Sequence, residues 1–145
     1  MNYRTLMKLF VINFTILFFL YGCSKNETNP LIPGIDELVG AWELISVTVS
    51  VGDETETFTP EEFELLFSMT LNSDYTQSRT IITDGNTFNL AGNWDIEGNT
   101  LVLTEFSGNQ TDIYFFSLNE NILLLSFSGY FGDEDATYSL ELMKQ

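Results

Sequence analysis

Histidine is absent from the 145 residues, and cysteine occurs once, at position 23. Without histidine the chain lacks the usual general base near neutral pH and the commonest metal ligand. It can assemble neither a Ser–His nor a Cys–His nucleophile. A lone cysteine closes no internal disulfide. Cations are scarce: five Lys and Arg stand against 21 Asp and Glu, for a formal net charge of −16. A field of that sign repels phosphate backbones, which excludes nucleic acid as a partner. It also offers no basic face to anionic lipid. The acidic runs Asp53-Glu54 with Glu56, and Asp133-Glu134-Asp135, lack the spacing of a calcium loop and read as solvated turns. No two carboxylates are singled out for glycoside chemistry. The expectation is a protein that is not an enzyme and needs no cofactor.

An apolar run covers residues 9–20, broken by Asn13 and Thr15 and preceded by Arg4 and Lys8. It falls short of the roughly 20 residues that a spanning helix needs. A basic start, a short apolar stretch and a small residue before the cut form a secretory pattern. Leu20-Tyr21-Gly22-Cys23 resembles the lipobox of bacterial lipoprotein signal peptides. That resemblance implies removal of residues 1–22 and attachment of acyl chains, palmitate among them, to Cys23. An ordinary signal peptide that ends near a cysteine is the alternative. Cleavage would leave three cations against 21 acids and a formal charge of −18. Membrane attachment would then rest on acyl chains rather than on charge. Ser24, rather than an aspartate, after the lipidated cysteine resembles lipoproteins of the Gram-negative outer membrane. Residues 23–37 are polar at first and carry Pro30 and Pro33-Gly34, the composition of a flexible tether. Leu31, Ile32 and Ile35 leave open a strap packed on the domain.

From residue 38 the pattern is one of strands. Residues 41–51 are rich in β-branched side chains, but the alternation slips between Leu44 and Ile45, which predicts a bulge or bend. Thr59-Pro60-Glu61-Glu62 has the composition of a helix start, so a helix of about two turns is expected over 60–66, plugging or covering one end of the fold. Alternating segments then follow, separated by turns such as Asn72-Ser73-Asp74, Asp84-Gly85-Asn86, Glu97-Gly98-Asn99, Ser107-Gly108-Asn109 and Asn119-Glu120-Asn121. Eight strands with short connections favour an all-β, eight-stranded, antiparallel up-and-down barrel with one short helix between its first two strands. A two-sheet sandwich is the alternative architecture. The barrel domain is assigned to residues 38–145 and is expected to be a monomer.

Gly40-Ala41-Trp42 resembles the opening Gly-x-Trp strand of lipocalins and of lipocalin-like domains in bacterial envelope lipoproteins. The stretch 92–104, Gly-Asn-Trp-Asp-Ile-Glu-Gly-Asn-Thr-Leu-Val-Leu-Thr, resembles the middle hairpin of those bacterial domains. The resemblance implies a single barrel with Trp42 low in a closed end. Lipocalins usually set a basic side chain over that tryptophan, and Lys144 is the one candidate here.

Two uses of such a barrel compete. In the first its interior takes a small apolar or amphipathic ligand, with Trp42, Phe67, Met69, Phe88, Trp94, Phe115, Phe127 and Tyr138 as lining and Arg79 as a contact for a head group. Arg79 paired with a surface acid is the alternative placement of that side chain. In the competing use the interior is filled, and the outer face meets a protein or a glycan; aromatic residues at Tyr114 and Phe116 and at the Tyr130-Phe131 turn are candidates for such a surface or for packing under the helix. The membrane, through lipid on Cys23, is the remaining expected partner. Replacing Cys23 by alanine is expected to move the protein from the membrane pellet to the soluble fraction after ultracentrifugation and to abolish labelling by an alkynyl fatty acid.

Overall fold

The computed structural model describes residues 34–107 and 110–145. The expected signal peptide, Cys23 and most of the expected tether lie outside those residues. The end of the tether is a helical turn, α1 (Ile35–Leu38), rather than flexible chain. Nine strands follow: β1 (Gly40–Val51), β2 (Glu54–Phe58), β3 (Leu65–Leu71), β4 (Thr76–Thr83), β5 (Asn86–Glu97), β6 (Thr100–Glu105), β7 (Thr111–Asn119), β8 (Ile122–Phe131) and β9 (Glu134–Lys144).

Strands β3 to β9 form an antiparallel meander, and β1 closes it by pairing with both β3 and β9. Eight staves therefore make a closed barrel. β2 is a ninth strand, hydrogen-bonded to β1 alone. It occupies a stretch that composition gave no reason to separate from a loop, since Glu54, Thr55, Glu56 and Thr57 offer no apolar alternation. What holds it is a cross-strand ladder: the hydroxyls of Thr48 and Thr57 lie 2.9 Å apart, and those of Ser50 and Thr55 3.0 Å.

The slip in β1 is a bulge. Pairing to β9 runs from Leu44↔Leu142 to Ser46↔Glu141 and skips Ile45. The extra residue turns the strand by one phase, so Trp42 and Leu44 below it and Val47 and Val49 above it are all buried in one core. Below the bulge β1 pairs with β3 from Gly40 to Glu43; above it, the same edge pairs with β2 from Val47 to Val51.

The helix expected over 60–66 is a single capped turn. Phe63 N–H donates to Thr59 O at 3.0 Å, and Glu64, with φ 53°, ends the turn. The Glu62 carboxylate accepts from Thr59 N–H at 2.9 Å and the Thr59 hydroxyl accepts from Glu62 N–H at 3.2 Å. Leu65 and Leu66 already belong to β3, whose pairing with β4 prevails over helix continuation.

The closed end is tied by three elements. The Trp42 indole N–H donates to Leu38 O at 2.9 Å, Lys144 Nζ lies 5.2 Å from the Trp42 ring centroid, and Lys144 donates to Glu37 O at 2.9 Å. Lys144 therefore does reach the tryptophan. Gly40 makes this possible, because a Cβ there would stand 2.7 Å from Lys144 Cε. Trp94 is also buried near this end and donates to Asn72 O at 2.9 Å.

Gly92 is the tightest point of the meander. A Cβ at this position would lie 1.8 Å from Thr104 O, a backbone atom that no rotamer change can move away. Gly92→Ala is therefore expected to cost at least about 3 kcal/mol, read as a lower urea midpoint in equilibrium unfolding.

Candidate functional site

Above the bulge, β1 and β2 lean away from β3 and leave a mouth. A cavity of about 860 Å³ opens there, lined by Val49, Val51 and Phe58 on one side, by Phe131, Gly132, Asp133 and Glu134 on the other, and by Glu54, Thr55 and Glu56 along β2. The register explains the lining. Glu54 lies opposite Val51, Glu56 opposite Val49 and Phe58 opposite Val47. Because Val47 and Val49 face the core, these three β2 side chains face inward as well. From the other side, Phe131 pairs with Glu134 at the end of the β8–β9 hairpin. The result is a cavity whose lining sets apolar Val49, Val51, Phe58 and Phe131 beside acidic Glu54, Glu56, Asp133 and Glu134.

These four acids have no cation near them. The described residues contain two, Arg79 and Lys144. Lys144 is engaged at the closed end, and Arg79 is held by Asp112 at 2.7 Å and Glu105 at 3.6 Å.

Below the mouth the interior is filled. From Phe58 an aromatic chain crosses the barrel: Phe58–Phe63 at 5.5 Å, Phe63–Tyr138 at 6.3 Å, Tyr138–Phe127 stacked at 5.2 Å, and Phe127–Tyr114 edge-on at 5.6 Å. Phe63 comes from the capped turn, which thus plugs the barrel as the sequence suggested. Under this layer lie Trp42, Phe67, Met69, Leu101, Leu103, Leu123, Leu125 and Leu142, all buried.

The expected lining residues thus divide. Trp42, Phe67, Met69 and Trp94 belong to the packed core, while Phe127 and Tyr138 belong to the aromatic layer. None of them lines the mouth. Phe88 shares the inner face through its pairing with Ile81, but it is 50% exposed at the upper end of its strand. Phe115 is corrected outright: it and Ile113 are each 59% exposed on the outer face, and Tyr114 and Phe116 are the inward residues of β7. Both faces of that strand are apolar, so alternation could not choose between them. The choice follows from Asp112, which shares the Tyr114 face, stands opposite buried Leu103 and meets Arg79.

Arg79 is inward and only 2% exposed, so it is not a solvated surface residue. With two carboxylates against it, its charge is already met, which disfavours an anionic head group at this position. Among the described residues, no three acidic, cysteine or histidine side chains converge to hold a metal. The acids and Phe131 of the mouth are visible in the sequence only as unrelated features, two acidic turns and one aromatic turn, and Phe58 carries no signal of its own. Their convergence depends on barrel closure, which no local signal encodes.

Tyr114 lies beside this ion pair. Burial, with the Asp112 charge adding to it, pushes its phenol above the ordinary value of 10.0, while Arg79 acts in the opposite direction. The unfolded chain therefore releases this proton first. Stability from this group is complete below about pH 10 and declines as the pH rises toward the folded value. Tyr114→Phe is expected to lose less stability than the parent between about pH 9.5 and 11, measured by urea midpoints across that range.

A family model described as a lipocalin-like domain matches residues 38–125, more than half of the chain. No curated protein matches it.

Proposed function

The chain belongs to the lipocalin-like domain family, and from that premise we propose that it is a lipid-anchored envelope protein whose barrel mouth takes a small amphipathic molecule bearing a positive charge. The observation that carries this reading is the cavity of about 860 Å³ whose lining combines apolar and acidic side chains. Its volume is within the range of small-molecule sites. Val49, Val51, Phe58 and Phe131 offer apolar surface to a hydrocarbon portion, worth about 25 cal/mol for each Å² removed from water. Glu54, Glu56, Asp133 and Glu134 favour a cationic group above it and repel an anionic one. Since the interior below is packed, the ligand lies at the opening rather than deep within the barrel.

The anchor rests on different evidence: the lipobox-like Leu20–Cys23 and the short apolar run before it. Ser24 favours the outer membrane of a Gram-negative envelope. The 21 acids leave acyl chains as the means of attachment. The protein acts as a monomeric binder rather than an enzyme.

A second reading rests on the outer face. Ile113 and Phe115 stand exposed on consecutive outward positions of β7, and a filled barrel that meets a protein or glycan through this strip needs no ligand at all. Pull-downs from an envelope extract test it: the Ile113→Ser/Phe115→Ser double variant should lose any partner that the parent retains, and an unchanged set of retained proteins and glycans rejects this reading.

Calorimetric titration with three amphiphiles of equal tail length tests the first reading. Octylammonium is expected to bind more tightly than octanol, and octanol more tightly than octanoate. Raising the salt concentration should narrow the differences, and Glu56→Gln should weaken octylammonium about 2–5-fold, as suits one exposed charge. Absence of saturable binding by all three would reject a ligand site at the mouth.

A further inference from the structure

The ninth strand leaves one edge of the sheet without a partner. β2 is hydrogen-bonded to β1 alone, and Glu54, Thr55, Glu56 and Thr57 are all exposed. The hairpin decides which of its main-chain groups are open. Gly52 and Asp53 join β1 to β2, and Val51 lies directly opposite Glu54. Residues that flank a two-residue loop exchange both hydrogen bonds, and the pattern then alternates along an antiparallel pair. Val51–Glu54, Val49–Glu56 and Val47–Phe58 are therefore the hydrogen-bonded pairs. Ser50–Thr55 and Thr48–Thr57 fall between them, where facing side chains come closest, and their hydroxyls do meet, at 3.0 and 2.9 Å. The N–H and C=O of Thr55 and of Thr57 consequently point away from β1. Among the described residues no backbone group bonds to them. Two donors and two acceptors, spaced by about 7 Å along the strand, form a template for one more strand.

Charge selects among the strands that could add. On one face of β2 stand Glu54 and Glu56, which share their cavity with Asp133 and Glu134. Both cations of the described residues are engaged elsewhere. A second copy of the chain, paired with Thr55 opposite Thr57, would set Glu56 against Glu56, and like charges directly opposite are unfavourable. A segment with Lys or Arg at every second position sets cations there instead. Neither proline nor lysine, the residues that most often guard an open edge, occurs in the five residues of β2. We propose that the Thr55–Thr57 edge of β2 binds an extended basic segment of another protein, which joins the sheet as an added strand. This goes beyond the small-molecule reading, since the main chain at the edge, and not the apolar lining of the cavity, makes the contact.

Calorimetric titration of the purified protein with an acetylated Lys-Thr-Lys-Thr-Lys amide and two N-methylated forms of it tests this. Methyl groups on the threonine nitrogens remove the bonds of an antiparallel added strand, and methyl groups on the lysine nitrogens remove those of a parallel one. Side chains and charge are the same in both. The parent peptide is expected to bind, and one methylated form to bind at least about tenfold more weakly than the other, as suits the loss of two hydrogen bonds. Equal affinity of the two forms means attraction by charge alone and overturns the proposal, as does the absence of saturable binding by the parent peptide. Hydrogen exchange followed by NMR should slow at the amides of Thr55 and Thr57 when the parent peptide is added; unchanged exchange there also overturns it. A protein that sediments as a dimer joined through β2 would assign the edge to a second copy, with the same consequence. None of these readouts depends on whether an amphiphile binds at the mouth.

Discussion

β1 divides one hydrogen-bonding edge between two partners, and the rest of the architecture follows from that division. Its other edge pairs with β9 along most of its length. The divided edge meets β3 below the Ile45 bulge and β2 above it. Had β1 run beside β3 throughout, the barrel would be equally narrow at both ends. Because it transfers to β2, β1 leaves β3 above the bulge, and the cavity lies along the part of β1 that β2 accompanies. The bulge is needed twice: it bends the strand toward β2, and it keeps both halves of the strand presenting apolar side chains to the same core. A one-residue shift without compensation would turn Val47 and Val49 to solvent.

The two ends of the barrel differ in chemistry as well as in width. At the closed end Trp42, Leu38, Glu37 and Lys144 hold the first and last parts of the domain together, and Gly40 leaves room for the lysine stem. In the wall, Arg79 neutralises part of the charge of Asp112 and Glu105. Both cations of the described domain are thereby used inside or below the barrel. The acids at the mouth keep an uncompensated field, which low-dielectric apolar walls concentrate. An acidic composition that speaks mainly of solubility thus becomes, at one location, a concentrated negative field.

The interior explains why the mouth, rather than a deep pocket, is the accessible volume. The aromatic chain from Phe58 to Tyr114 and the leucine-rich layer beneath it fill the space enclosed by eight strands. Fully burying each large apolar side chain in that layer favours the folded state by about 1.5–3 kcal/mol. Emptying the interior for a ligand would forfeit several such contributions at once. Leaving it filled places open volume at the mouth, where Val51, Phe58 and Phe131 still meet solvent.

The strands, their antiparallel order and the bulge were legible in the amino-acid sequence, because alternation, Gly-containing turns and a phase slip are local consequences of backbone geometry. Trp42, Phe67, Met69 and Trp94 were legible as inward residues for the same reason. Where both faces of a strand are apolar, as at 113–116, alternation carries no direction, and the Arg79–Asp112 ion pair across the barrel decided it. β2 was illegible because hydroxyl ladders, not apolar alternation, hold it to β1. The site was illegible as a site because Glu54, Glu56, Phe131 and Glu134 lie about eighty residues apart and meet only when β1 and β9 pair. Local chemistry determined which segments are strands; the closing of the sheet on itself, a contact between the two ends of the domain, determined what those segments surround.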